Sequence, residues 1–103
     1  MYLREIIDRI SPEVDDMCIV AKRPWEPYSE ARLVRLTEDF KIPGEDLDQG
    51  YEYFLEVSVA LDAVLDGLDD ILTKEQRFSA VLYYAENDAY PDWLCAIRDK
   101  ANP

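Results

Sequence analysis

The sequence predicts an α+β fold: a small, mainly antiparallel sheet of about three strands packed against three to four helices, in a single domain spanning residues 1–103. Three observations lead there. Apolar residues recur at helical spacing at the start of the chain and again beyond residue 58. Short runs rich in β-branched and aromatic residues lie between those regions, and Pro-containing or acidic stretches separate the runs. With 49% apolar and 12% aromatic residues, burial can offset the entropy of ordering, so the composition predicts a folded chain despite its charge.

Leu3, Ile6, Ile7 and Ile10 share one helix face, with Arg4, Glu5, Asp8 and Arg9 opposite, and Ser11-Pro12 stops the pattern. Met17 to Ala21 reads as a buried strand, followed by the stiff turn Pro24-Trp25-Glu26-Pro27. Arg32 to Thr37 reads as its antiparallel partner. Phe40 to Gly50, with Pro43-Gly44 and the acids Glu45, Asp46 and Asp48, reads as an exposed connection, and Tyr51 to Val57 alternates as a third strand, with a helical start there as the alternative. From Ser58, at a cap position, Leu61, Val64, Leu65, Leu68, Ile71 and Leu72 form the apolar stripe of a central helix. Thr73-Lys74-Glu75-Gln76 is a capping box that opens the next helix, with Phe78, Val81, Leu82 and Ala85 inward. Asn87 to Pro91 ends that helix, and Pro91-Asp92-Trp93-Leu94 opens a short terminal one with Leu94 and Ile97 inward.

The chain has no histidine, which removes the commonest general base, the usual partner of a nucleophilic Ser or Cys, and the commonest transition-metal ligand. Gly44, Gly50 and Gly67 are too scattered for a phosphate-binding loop. Asp66-Gly67-Leu68-Asp69-Asp70 lacks the ligand spacing and the closing Glu of a calcium loop. The expectation is therefore no catalytic residue, no metal site, no cofactor and no enzymatic activity. Cys18 and Cys95, far apart and each among apolar neighbours, read as two reduced, interior thiols. No run approaches a membrane span, and the first residues, Met-Tyr-Leu-Arg-Glu-Ile-Ile-Asp, lack the basic and apolar regions of a signal peptide, so a cytoplasmic protein is expected.

Charge is the most informative feature: 23 acids against 11 bases give a net charge of −12. Such a field repels nucleic acid and anionic membrane and attracts basic protein. Laid out at helical angles, Asp62, Asp66, Asp69 and Asp70 form a ridge opposite the apolar stripe. Between Lys41 and Lys74 there is no basic residue, so Glu45, Asp46, Asp48, Glu52 and Glu56 extend that acidic region. The ordinary reading is a solvated face. The functional reading is a docking surface for a basic partner, with the four helix aspartates in contact and Glu45, Asp46, Asp48 and Glu52 as outlying steering charges. Tyr83, Tyr84, Tyr90 and Trp93 near Asn87-Asp88, and Trp25 with Tyr28, read first as core fillers and second as interface anchors. Asn87 and Asp88 read as a structural cap beside the Pro91 turn.

The run Ala80-Val81-Leu82-Tyr83-Tyr84-Ala85-Glu86-Asn87-Asp88-Ala89-Tyr90, with the Trp-Pro loop near residue 25, resembles a group of small acidic bacterial proteins without assigned activity. That resemblance implies a bacterial intracellular protein and contributes no catalytic residue. By size and charge the chain also resembles the immunity proteins of bacterial toxin systems. The expected function is an immunity protein (antitoxin) that binds and neutralises a basic toxin domain, expected to be a nuclease, through the acidic surface. The alternative is a nucleic-acid mimic or regulatory adaptor that inhibits a DNA-binding protein.

Overall fold

A computed structural model describes residues 1–68 and 70–101. The order is α1 (Leu3–Arg9), a 3₁₀ turn (Pro12–Val14), β1 (Cys18–Ala21), β2 (Ala31–Val34), α2 (Gly44–Asp48), β3 (Glu52–Glu56), α3 (Val57–Val59) continuing into a π-helical turn (Ala60–Val64), α4 (Lys74–Asn87) and α5 (Asp92–Ala101). The strands form one antiparallel sheet in the order β2-β1-β3. This is the mixed α+β architecture with a three-stranded antiparallel sheet that the sequence predicts.

All four residues of the central strand β1 are buried. Ile19 and Ala21 face the main core, which takes Leu3, Ile6, Ile7 and Ile10 from the α1 region, Phe78, Ala80 and Val81 from α4, and Leu94 from α5. Cys18 and Val20 face the other side, where they pack with Val34 and Tyr51 under Leu36 and Ile42. The alternation of side chains along a strand thus divides β1 between a large core and a small one.

Strand β3 departs from simple alternation. Ile19 pairs with Leu55 and Val20 with Tyr53, so Phe54 is an extra residue in a β-bulge. The bulge lets two successive side chains, Phe54 and Leu55, both enter the main core. The start of the chain bonds the entry to β2: the Leu3 amide donates to Ser29 O at 2.8 Å, and the Ala31 amide to Met1 O at 2.8 Å.

The expected central helix from Ser58 to Leu72 does not form as one helix. The Leu65 amide donates to Ala60 O at 3.0 Å, five residues back, which closes the π-helical turn. Gly67 then takes a left-handed φ of 72°, a conformation glycine adopts without the Cβ penalty of other residues. The wider turn and the break rotate the later residues out of register with a single helical stripe. Val64, Leu65, Leu68 and Leu72 are buried, but Leu61 is only partly buried and Ile71 is 50% exposed, contrary to the continuous stripe. The Val64 carbonyl accepts from Arg98 Nη2 of α5 at 2.8 Å, tying the broken segment to the last helix.

Helix α4 starts as its capping box predicts. Thr73 Oγ1 accepts the Gln76 amide at 3.1 Å, and Gln76 Oε1 accepts the Thr73 amide at 2.9 Å. At its other end Asp88 is left-handed (φ 52°) and its amide donates to Tyr84 O, while Asn87 Nδ2 donates to Tyr83 O at 3.0 Å. The Asn87 side chain therefore caps a carbonyl of the last turn, not the backbone amides that a cap at this position suggests. The stretch 40–50, expected as plain connection, contains α2.

Replacing Leu65 by Asp is expected to abolish folding, because it buries a charge without a partner. Ile71→Asp is expected to shift stability by less than about 0.5 kcal/mol, as exposed sites do. Urea unfolding of the two variants checks this; a Leu65→Asp chain with the parent midpoint contradicts the packing described.

Candidate functional site

The structure separates the acids that the sequence grouped. Asp62 lies on the π-helical turn and Asp66 and Asp70 in the turns after it, all three exposed; Asp69 lies outside the described residues. With no continuous helix beneath them, they do not form a helical ridge. Glu45 and Asp48 are exposed on α2.

Asp46 cannot serve as an outlying steering charge. It is buried, and its Oδ1 accepts from Arg32 Nη1 at 3.1 Å. The same guanidinium lies 4.2 Å above the Tyr51 ring and donates to Tyr51 Oη at 3.1 Å and Gln49 Oε1 at 3.3 Å. Its pKa rises above the usual arginine value, first through the Tyr51 hydrogen bond. The cluster fastens α2 onto β2 over the small core. Glu52 is exposed but paired with Arg23 at 3.3 Å. Sequence distance concealed both partners: no base lies between residues 41 and 74, yet the sheet brings Arg32 and Arg23 to acids 14 and 29 positions away. Lys22–Glu30 at 2.9 Å, Lys74–Asp8 at 3.5 Å and Arg35–Asp16 complete the ion pairs among the described residues.

Two features that sequence reasoning missed flank Glu56 at the end of β3. On one side a groove of about 430 Å³ runs between β3 and the end of α4, lined by Trp25, Tyr53, Leu55, Val59, Tyr84 and Asp88. Trp25 stands edge-on to Phe54 with centroids 4.9 Å apart and donates its indole N–H to Ala21 O at 3.4 Å. The Arg23 guanidinium covers its outer face at 3.8 Å. The Tyr84 and Tyr90 rings meet at 5.3 Å. Burial, and then the Glu56 charge, push the Tyr53 hydroxyl above its usual pKa.

On the other side a cleft of about 360 Å³ is lined by Asp15, Asp16, Arg35, Phe40 and Glu56. Phe40 is 82% exposed and left-handed (φ 60°), at the tip of a turn in which the Thr37 amide donates to Lys41 O and the Phe40 amide to Thr37 O, each at 2.8 Å. A single aromatic inside Glu38-Asp39-Phe40-Lys41 was the available sequence signal. Tyr28, Tyr83, Tyr90 and Trp93 are likewise exposed, so core filling does not account for them.

Among the described residues no three His, Cys, Asp or Glu side chains are placed to hold a metal ion, and no helix is long and apolar enough to cross a membrane. Comparison with known protein families, curated proteins and solved structures gives no match.

The thiols differ, contrary to the reading of both as interior. Cys18 is buried, whereas Cys95 is exposed because Leu94 takes the inward position of α5 and the next side chain turns about 100° away. Burial, followed by the Glu56 charge, pushes the Cys18 thiol up to about 12. Alkylation at neutral pH is therefore expected to modify Cys95 quickly and Cys18 only upon unfolding. The sign of the shift also predicts that the Cys18 contribution to stability, complete below the unfolded thiol pKa of 9.0, is lost as pH rises from there toward 12. Mass spectrometry of native protein showing two equally fast thiols contradicts this placement.

Proposed function

We propose that the chain acts by binding, as a cytoplasmic immunity protein that neutralises a basic toxin domain, with a nuclease as the expected target. The observation that carries the reading is the acid left over once the fold has made its ion pairs. Of 23 acids, five are paired among the described residues: Asp8, Asp16, Glu30, Asp46 and Glu52. Asp62, Asp66, Asp70, Glu45 and Asp48 stay exposed without such pairing, on separate turns of the surface. Mutual repulsion makes this excess unfavourable for folding, while its field accelerates capture of a cationic protein. Exposed Phe40, Tyr53 and Tyr90 supply large side chains of the kind that anchor interfaces. Distribution of the acids over several elements, instead of a regular row along one face, gives less support to nucleic-acid mimicry.

The test is co-production with the basic product of a neighbouring reading frame, followed by titration at two ionic strengths. Asp62, Asp66 and Asp70 changed together to Asn are expected to keep the fold with an equal or higher urea midpoint, slow association and flatten the salt dependence. Asp46→Asn serves as the structural contrast, with an expected loss of about 1–2 kcal/mol in stability as the partly exposed Arg32 loses its charged partner. A triple variant with parent affinity and parent salt dependence overturns the role of these acids.

A further inference from the structure

We infer that the outer edge of β3 seats one extended, basic segment of the partner protein, added as a fourth strand of the sheet; for the partner's charge this rests on the proposed function. The two sheet edges are treated differently. At the β2 edge the first residues bond the entry to the strand, through the Leu3 and Ala31 amide bonds and a Tyr2–Glu30 bridge. Among the described residues, no strand pairs with the outer edge of β3.

The register shows which peptide groups are on offer. The Val57 amide donates to Met17 O at 3.0 Å, so Val57 and, two residues back, Leu55 direct their backbone groups toward β1. Glu56, and beyond the bulge Tyr53, consequently turn theirs outward. Over its five residues β3 offers about 17 Å of edge. Beside that edge, the groove of Trp25, Tyr53, Val59 and Tyr84 receives side chains of the added strand.

Charge selects the occupant. Glu52, Glu56 and Asp88 belong to the edge and its groove, and Arg23 is already held by Glu52 and the Trp25 ring. A second copy of the chain is disfavoured: antiparallel self-pairing about Phe54 would set Glu52 of one copy against Glu56 of the other, and like charges facing across strands destabilise. The bulge further guards the edge against flat self-association. A strand carrying Lys or Arg meets Glu56 and Asp88, neither in an ion pair among the described residues, favourably.

The probe is a blocked peptide of alternating Lys and Val, about eight residues long so as to span β3, titrated into isotope-labelled full-length protein. Expected are shifts of the Tyr53 and Glu56 amide signals and slower hydrogen exchange at those amides. N-methylation of the peptide's ladder-facing residues is expected to weaken binding about tenfold, the loss of one or two hydrogen bonds. Replacing its Lys by Glu is expected to abolish binding. Glu56→Gln with Asp88→Asn, a change the left-handed position tolerates, is expected to weaken the peptide several-fold at unchanged stability. No binding, equal binding of the N-methylated peptide, or shifts confined to the turns of Asp62, Asp66 and Asp70 overturn the inference. A neighbour-encoded basic protein that binds while the β3 amides stay unprotected also overturns it and leaves the antitoxin reading standing. A chain that takes the peptide at β3 and binds no such protein does the reverse.

Discussion

Burial of β1 on both faces is the constraint on which the rest of the structure depends. A strand with no exposed residue needs partners along both edges and apolar cover above and below. β2 and β3 supply the edges, and the helices cover Ile19 and Ala21. The other face is harder to cover, because only a loop and a five-residue helix are available there. The Arg32–Asp46 pair, stacked on Tyr51, fixes that helix in place. An acid that looks like one of many in the sequence is thereby part of the sheet's cover.

How much of the fold was legible in the sequence depends on the range of the interactions involved. Helix α1 and the opening of α4 rest on contacts three or four residues apart, so spacing and the Thr73–Gln76 box located them. The apolar run of β1 and the presence of β3 were legible for similar reasons. The segment 57–72 was not, since Val64, Leu65 and Leu68 fit a helical stripe and a broken one equally well, and the π-helical turn at Ala60–Val64 and the left-handed backbone at Gly67 distinguish them. The Phe54 bulge depends on register against β1, a relation across more than 30 residues of chain.

The candidate site was less legible than the fold. Counting charges found an acidic region, but the partners of Asp46 and Glu52 arrive through sheet pairing and cannot be counted along the chain. Exposed aromatics hid for the opposite reason: in the sequence Phe40 and Tyr53 look like any apolar residue, and only the fold shows that they are left in water. The resulting surface combines unneutralised carboxylates with large uncovered side chains around the end of β3.

The central claim is that the acid excess exceeds what the fold neutralises and is carried at a cost to stability. Urea unfolding in rising NaCl tests it without any partner, because salt shortens the reach of surface charge from about 30 Å at 0.01 M to about 3 Å at 1 M. If unpaired acids dominate, unfolding free energy rises as salt is added from the low end of that range. Stability that falls with added salt would mean that the ion pairs outweigh the repulsion, and would contradict the account.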